Sequence, residues 1–551
     1  MKPKLIWTFL ILIVFLGAVL RLYQLGNVPP SPDWDEVALG YDAYSIMTTG
    51  RDEFSKFLPV VLRSFDDYKP ALYAYLAIPT VFIFGLNTFA VRLPSAFFGI
   101  ISILAVFFLV RELFRDYKYR DHLSLLASLI FALSPWSIQF SRIGFESNVG
   151  VALNILCALF FIKGLKKPFF LPMAALFGAL GPYVYQSERV FSPLLVLILV
   201  AVYFKDLLKL PKKYLVLAAF VGLLVITPMA YNLLTDKSAL LRVRGTSFFS
   251  YQTELLSDNI KKLERDQANG DSLGLLLDNR RFVYFKTILT GYISHFDLNW
   301  LFVRGDISRH HAPGMGLIYI FELPFILIGI YQLLFGKFER KTKWIIFLWF
   351  LAAAVPASIT TGVPHAVRTL NYLPTYQIFS ALGLLTFALF VMKLKLKTLR
   401  PVIFGLTFLV FLFNFAYYLN QYFVQQNYYH SQDWQYGYEQ AVDTVKKIGG
   451  QYGKIVVSDT NPMDKSYMFF LFYLKYPPAE YQKVGANSSG SFVSHHSYGK
   501  YEFRPIDWKK DSELKNTLFI GPAFEIPTSD GLIKTINNLD GKPAIRIVGI
   551  K

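Results

Sequence analysis

The first carboxylates of the chain lie in the stretch "SPDWDEVALGYDAY", where Asp33, Asp35 and Glu36 follow a long apolar run. A positioned carboxylate can remove the proton of a reacting hydroxyl, and two converging carboxylates can combine a general base with an orienting group or a metal ligand. A second carboxylate, Glu146 in "SRIGFES", comes just before another apolar run. The pattern predicts that Asp35 and Glu146 converge as catalytic residues, with Glu36 as a further candidate.

Simpler roles are open for each carboxylate. Asp35 opens a predicted amphipathic helix that runs to about Met47, and an Asp at that position can cap a backbone N–H. Adjacent helical residues point about 100° apart, so Asp35 and Glu36 are not expected to address one substrate atom together. Glu146 lies close to Arg142, and an ion pair at the membrane surface is the alternative to catalysis there.

Basic residues at the same predicted level form a second group of candidates. The guanidinium of Arg and the ammonium of Lys both bind phosphate well. The alternative is that each basic side chain simply extends to the lipid headgroups. We predict that a phosphate-bearing ligand is bound by Lys69, Arg189, Arg304, Arg309, His310 and Arg368. His295 and His311 are weaker candidates. A divalent metal site of His and carboxylate side chains stays open, although no ligand spacing indicates one.

Membrane helices must position these residues. The chain has 551 residues, of which 54% are hydrophobic and 17% charged, and its mean hydropathy is +0.38. Apolar runs long enough to span a bilayer recur along most of it. We therefore predict an all-α polytopic membrane bundle of about eleven transmembrane helices. The predicted spans are residues 5–20, 91–110, 123–140, 149–162, 169–185, 191–204, 214–234, 315–335, 344–355, 373–392 and 402–419.

The charge distribution predicts the orientation. With a cytoplasmic N-terminus, and with residues 69–86 lying along the outer interface instead of crossing, five Lys- and Arg-rich loops all face the cytoplasm. If residues 69–86 crossed, all five loops would face outward. The net charge of +18 follows from these loops and does not indicate a nucleic-acid partner. Residues 23–90, the loop 235–314 and the C-terminal tail are predicted to be outside.

The tail is predicted to be a small extracytoplasmic α/β domain, residues 423–551, after a membrane domain of residues 1–422. "GYEQAVDTVKKIG" has helical spacing, and "KIVVSD" and "TLFIG" are typical of strands. "LIKTINN" and "PAIRIVGI" flank "LDGK", which predicts a hairpin.

The order of four motifs resembles a known family. "DWDE" after the first span, "KPALYAYL", "VRLPSAFFG" and "SRIGFES" follow one another as in the GT-C membrane glycosyltransferases. The family 39 group is most similar; it includes the protein O-mannosyltransferases and the bacterial aminoarabinose transferases that modify lipid A. The resemblance covers most of the first 200 residues.

The resemblance implies a GT-C fold in a cell membrane and inverting transfer of a sugar from a polyprenyl phosphate to an acceptor hydroxyl on the extracytoplasmic face. Asp35 matches the family's catalytic base, and Lys69 matches the Lys-Pro position implied in binding the carrier phosphate. Glu146 stands where the family usually has Asp, and Ala71 replaces a second proline. The tail does not resemble the β-trefoil of eukaryotic mannosyltransferases, which weakens the case for a Ser/Thr protein acceptor.

Other functions remain as alternatives. One is a polysaccharide polymerase or ligase that uses a polyprenyl diphosphate, another a lipid or solute transporter, and a third an inactive scaffold whose tail binds partners. Transporters usually place ionisable groups near the bilayer midplane. The predicted spans carry few polar groups, with Glu322 near an outer end and Asn154 as the main exception. The sequence leaves the sugar, the acceptor and any metal requirement open.

Overall fold

The computed structural model describes residues 2–65, 67–236, 245, 247, 252–485, 495–528 and 531–551. Parts of the predicted loop 235–314 and of the predicted tail domain lie outside the described residues. The chain forms two compact units, each of several segments. The first unit is Met1–Ile13, Ser102–Trp136 and Gly150–Phe411, and the second is Val14–Ile101, Ser137–Val149 and Leu412–Lys551. The division into 1–422 and 423–551 stays a prediction.

Helices make up most of the described chain. The earlier ones are α1 (Pro3–Leu22), α2 (Trp34–Thr49), α3 (Leu72–Phe84), α4 (Thr88–Leu113), α5 (Arg120–Leu133), α6 (Pro135–Ser141), α7 (Ser147–Gly164), α8 (Leu171–Leu180), α9 (Glu188–Leu207) and α10 (Lys212–Thr235). The later ones are α11 (Gln252–Ala268), α12 (Ser272–Leu277), α13 (Arg280–Ser294), α14 (Glu322–Phe335), α15 (Arg340–Ala352), α16 (Val355–Ser358), α17 (Thr375–Val391), α18 (Leu399–Asn420), α19 (Gln426–His430), α20 (Tyr438–Ile448), α21 (Ser466–Leu474), α22 (Pro478–Gly485) and α23 (Trp508–Asp511).

Each of the eleven predicted spans overlaps at least one helix, and residues 123–140 overlap two, α5 and α6. Among the described residues, seven helices are long and apolar enough to cross a membrane, or up to eight if the α5–α6 pair, bent by 57°, is one span. The seven are Pro3–Leu22, Thr88–Leu113, Ser147–Gly164, Glu188–Leu207, Lys212–Thr235, Leu370–Val391 and Leu399–His430. The predicted helical membrane bundle is confirmed.

The remaining predicted spans are shorter helices. Pro168–Tyr183 and Glu322–Phe335 are apolar helices of 10–17 residues, and the predicted span 344–355 falls on the 13-residue α15. Leu72–Phe84, inside the predicted interfacial run, is also a short apolar helix. Its place at the interface and the orientation of the termini stay predictions.

Close helix packing in the first unit depends on two glycines. α14 packs against α17, and a Cβ atom added at Gly329 would lie 1.9 Å from the carbonyl oxygen of Phe379. Reciprocally, a Cβ atom at Gly383 would lie 1.8 Å from the carbonyl oxygen of Phe325. Small residues at both contacts let the backbones approach, as is common between membrane helices.

The predicted α/β region of the tail is present. A six-stranded sheet contains β3 (Lys454–Val457), β4 (His496–Tyr498), β5 (Tyr501–Phe503), β6 (Thr517–Gly521), β7 (Leu532–Asn537) and β8 (Pro543–Ile550), in the order β4-β5-β3-β6-β8-β7. β3 is parallel to β5 and β6, and β7 pairs with β8 as the predicted antiparallel hairpin. The predicted helix of "GYEQAVDTVKKIG" is α20.

In the second unit, α2 begins with a capping box. The Asp33 side chain accepts hydrogen bonds from the backbone N–H groups of Asp35 and Glu36, and the Glu36 side chain accepts one from the Asp33 N–H. This reciprocal pattern satisfies N–H groups that have no partner inside the helix. Asp33 is therefore the N-cap, and the alternative that Asp35 caps this helix is wrong.

A buried ion pair joins α2 to α4. Arg92 donates from Nε and Nη2 to the two carboxylate oxygens of Glu36, at 2.8 and 3.0 Å, and both side chains are fully buried. The remaining N–H groups of Arg92 donate to the carbonyl oxygens of Leu25, Pro29 and Ser31. All five N–H groups of the guanidinium are thus used, and the residues before α2 are fixed to α4.

We expect Arg92→Met to lower the free energy of unfolding by about 3–5 kcal/mol, because Glu36 would stay buried without its cation. The measurement is SDS-driven unfolding in mixed micelles. Arg115→Met is the control, since it removes an exposed pair with Asp116, worth about 0–1 kcal/mol. Equal losses in the two variants would contradict the assigned role of Arg92.

Candidate functional site

The second unit brings Asp35 and Lys69 into direct contact. Lys69 lies on β2 (Asp67–Pro70), which pairs with β1 (Val61–Ser64) so that Lys69 faces Leu62. Its ammonium forms an ion pair with Asp35 Oδ1. Lys69 is only 5% exposed, whereas the Asp35 side chain is 28% exposed. A fixed buried cation therefore stands beside a carboxylate that solvent or a substrate can reach.

Electrostatics keep Lys69 charged in spite of its burial. Desolvation lowers the pKa of this ammonium, but the charges of Asp35 and Glu146 outweigh it, and the pKa is raised above its usual value. A buried lysine without such partners would tend to lose its proton near neutral pH. The two carboxylates thus preserve the cation.

Glu146 completes this group. It is 5% exposed, and burial raises its pKa to about 7, with Lys69 acting in the opposite direction and Asp35 in the same one. No ion pair joins it to Arg142 in the described part of the chain; Arg142 donates to the carbonyl oxygens of Leu20 and Val28 instead. The structure thus places Asp35, Lys69 and Glu146 within one electrostatic neighbourhood, and their catalytic and binding roles stay predictions.

Glu36 lies apart from this group. Its carboxylate accepts from Arg92, from the Gly144 N–H at 2.7 Å and from the Asp33 N–H at 3.1 Å. It is fully buried, so the neighbouring carboxylates of "DE" diverge as helix geometry requires. Its predicted catalytic role is untested, and its contacts are those of a residue that positions the loop.

Sequence reasoning missed Lys465. This residue directly precedes α21. Its ammonium lies 3.9 Å from the ring centroid of Trp34, the residue before Asp35, and 5.7 Å from that of Phe65. The ammonium of Lys69 is also 5.7 Å from the Phe65 ring. Two lysines from distant parts of the chain therefore flank one aromatic ring. No local signal in "PMDKSYMFF" distinguishes Lys465 from the other lysines of the tail.

The remaining predicted phosphate ligands belong to the first unit. Arg304 is exposed, and Arg189, Arg309 and Arg368 are half-buried. Arg368 donates to Thr360 Oγ1 and to the Thr361 carbonyl oxygen, both at 2.6 Å. Their role as phosphate ligands stays a prediction.

His310, the sixth predicted phosphate ligand, lies in a cluster that could hold a metal. Asp306, His310 and His365 each offer one ligand atom, and these atoms all lie within 4.8 Å of one another. Burial lowers the pKa of His310; burial, and then the charge of Arg368, lower that of His365 well below its usual range. Both imidazoles are thereby neutral, which is the form that binds metal ions.

Three further buried carboxyl groups lie on α2 and on the loop that follows it. Asp42, Asp52 and Glu53 are almost completely buried, and Asp42 Oδ1 accepts from the Glu53 N–H at 3.1 Å. Burial raises the pKa of all three. The charge of Asp52 raises the pKa of Asp42 further, and the charges of Asp42 and Asp52 raise that of Glu53 further.

Comparisons with known proteins agree with this fold. A family model described as dolichyl-phosphate-mannose-protein mannosyltransferase matches residues 68–231. ArnT from Cupriavidus metallidurans in the apo state is 11% identical, with 98% of this chain and 97% of that chain covered and a TM-score of 0.53. The same protein bound to undecaprenyl phosphate gives 11% identity, 99% and 98% coverage and a TM-score of 0.53.

The archaeal oligosaccharyltransferase AglB from Archaeoglobus fulgidus, in complex with an inhibitory peptide and a dolichol-phosphate, is 13% identical with a TM-score of 0.51. The match covers 86% of this chain, which spans 64% of the AglB chain. No curated protein matches the sequence. The chain has the fold of the GT-C membrane glycosyltransferases, and the resemblance inferred from its motifs is confirmed.

The raised pKa of Glu146 predicts a pH-dependent stability. Its pKa in the folded chain, about 7, lies above the ordinary value of 4.5. The stabilisation from the neutral form is therefore complete below about pH 4.5 and is lost as the pH rises through about 7. Glu146→Gln cannot ionise, so its melting temperature relative to wild type should rise between pH 5 and pH 8.

Differential scanning fluorimetry of wild type and Glu146→Gln across this range gives the comparison. Glu112→Gln, on a more exposed carboxylate paired with Lys166, is the control and should show no such trend. A melting-temperature difference for Glu146→Gln that stays constant with pH would contradict the assignment.

Proposed function

We propose that this protein is a membrane glycosyltransferase that moves a sugar from a polyprenyl-phosphate carrier to an acceptor hydroxyl at the extracytoplasmic face. The observation that carries the proposal is the contact between buried Lys69 and partly exposed Asp35 beside Glu146. An inverting transfer needs a base for the acceptor and a cation for the leaving phosphate, and this pair supplies both. The GT-C fold and the family match over residues 68–231 support the same proposed function.

Asp35 is the proposed base. Its carboxylate takes the proton of the acceptor hydroxyl as that oxygen attacks the anomeric carbon. The bond between the anomeric carbon and the phosphate oxygen breaks, and the phosphate leaves with the electron pair. A single displacement of this kind inverts the anomeric configuration. Positioned proton transfer contributes on the order of 10²–10⁴-fold to such a step.

Lys69 is the proposed ligand of the leaving phosphate. Its charge is held in a water-poor environment, where it stabilises developing negative charge more strongly than it would in water. In the free protein Lys69 is paired with Asp35. An arriving phosphate competes for the ammonium, so donor binding frees the Asp35 carboxylate to act as a base.

Lys465 adds a second cation, and this favours one alternative donor. The Lys69 and Lys465 ammonium groups lie at the same distance, 5.7 Å, from the Phe65 ring. Two cations around one ring also suit the two phosphates of a diphosphate carrier. A polymerase or ligase that uses a polyprenyl diphosphate is therefore the second candidate, and donor choice separates the two.

The direct test is sugar transfer by the purified protein in lipid from a panel of polyprenyl-phosphate and polyprenyl-diphosphate sugars. We expect turnover of a monophosphate donor, with losses of about 10²-fold or more in Asp35→Asn. Lys69→Met should weaken donor binding as well as turnover, because it removes the proposed phosphate ligand.

Two control variants sharpen this test. Asp116→Asn changes an exposed carboxylate, and Lys56→Met changes an exposed lysine of the second unit. Both variants should keep wild-type turnover. Turnover of diphosphate donors alone would select the second candidate. Absence of binding to every donor would refute the proposed glycosyl transfer, and full activity of Asp35→Asn would refute Asp35 as its base.

The role of Lys465 gives a separate prediction. Lys465→Met should raise the KM for the donor by about tenfold while kcat changes less, because the second cation contributes about 1–2 kcal/mol to phosphate binding. Lys465→Arg should recover most of the affinity. Unchanged donor KM in Lys465→Met would remove this residue from the site.

A further inference from the structure

The cluster of Asp306, His310 and His365 has the chemistry of a metal centre. The Nδ1 atom of His310 lies 3.1 Å from Asp306 Oδ2. In a tetrahedron of metal–ligand bonds of about 2.0–2.1 Å, neighbouring ligand atoms are about 3.3 Å apart. The observed separation therefore suits two ligands on one ion as well as it suits a hydrogen bond.

His365 provides the observation that a hydrogen-bonded pair does not explain. Its Nδ1 atom is buried and has no hydrogen-bond partner among the described residues. Buried polar atoms in folded proteins nearly always have a partner. The ring centroids of His310 and His365 are 5.2 Å apart, and one ring nitrogen of His365 lies within 4.8 Å of the ligand atoms of Asp306 and His310.

The surrounding contacts resemble those that orient metal ligands. Asp306 Oδ2 accepts from the Ala366 N–H at 2.6 Å, and Asp306 Oδ1 accepts from the Ile307 N–H at 2.9 Å. His295 Nε2 accepts from the backbone N–H of His365 at 3.2 Å, and His295 Nδ1 lies 2.7 Å from the Gly291 carbonyl oxygen. The two contacts to Asp306 fix the direction of its carboxylate, and the contact with His295 fixes the backbone of His365.

We propose that Asp306, His310 and His365 bind a divalent transition-metal ion, with Zn²⁺ as the ion that suits two imidazoles and one carboxylate best. Three protein ligands leave a coordination position for water or an anionic group. The site joins the segment that carries Arg309 to the segment that carries Arg368. The ion thus positions two of the predicted phosphate ligands without itself taking part in proton transfer.

This inference is tested by metal content, which does not depend on transfer activity. The full-length protein in detergent is stripped with chelator, reloaded with ZnCl₂, passed over a sizing column and assayed for zinc by mass spectrometry. We expect about one zinc per chain in wild type. The apparent zinc affinity should fall at least about tenfold in His365→Ala and in Asp306→Asn.

His311→Gln is the matched control. His311 is adjacent to the cluster, but its Nδ1 contacts the Ala312 carbonyl oxygen, so this variant should keep wild-type zinc content. Melting temperatures in chelator show whether each variant is folded, and added zinc should raise the melting temperature of wild type but not of His365→Ala. A stripped wild type that takes up no zinc, or a folded His365→Ala that binds like wild type, would overturn the proposal.

Discussion

The buried contact between Arg92 and Glu36 is the interaction on which the site depends. The guanidinium uses all five of its N–H groups, two on Glu36 and three on carbonyl oxygens of the segment before α2. Glu36 in turn accepts from the Gly144 N–H, two residues before Glu146. One ion pair thus fixes the start of α2 and the turn that bears Glu146. With Glu36 held on one side of the helix, Asp35 is directed to the other, where Lys69 lies.

Much of the fold and part of the candidate site could be predicted from the sequence, because strong local patterns determine the helices, the strands and the positions of the motifs. Apolar runs located the helices, and short apolar segments and a turn signal located strands β3, β6, β7 and β8. The motif order located Asp35 and Lys69. The alternative that Asp35 caps α2 was wrong; Asp33 and Asp35 are both acceptable caps, and only backbone geometry distinguishes them. Span lengths also differed, since residues 123–140 are divided by a sharp bend at Ser134.

Long-range contacts account for what the sequence did not reveal. Lys465 approaches Trp34 through the fold of the tail, and nothing in its neighbours indicates this. Arg92 stands inside "VRLPSAFFG", where a buried guanidinium in an apolar run requires a partner, but the sequence does not say which carboxylate. The proposed ligand set of Asp306, His310 and His365 likewise unites two loops, so it shows no compact spacing of the kind found in zinc fingers.

The composition of the second unit has a consequence for synthesis. Trp34 donates its backbone N–H to Gln435, 401 positions later, and the unit combines Val14–Ile101 with Leu412–Lys551. A ribosome makes the first of these segments long before the last. During elongation, Asp35 and the start of α2 are therefore made long before Gln435 and Lys465, which follow only after every helix between them has been synthesised. A chain that stalls after Phe411 carries every segment of the first unit and yet an unfinished second unit, so the site can be completed only after synthesis has passed Lys465.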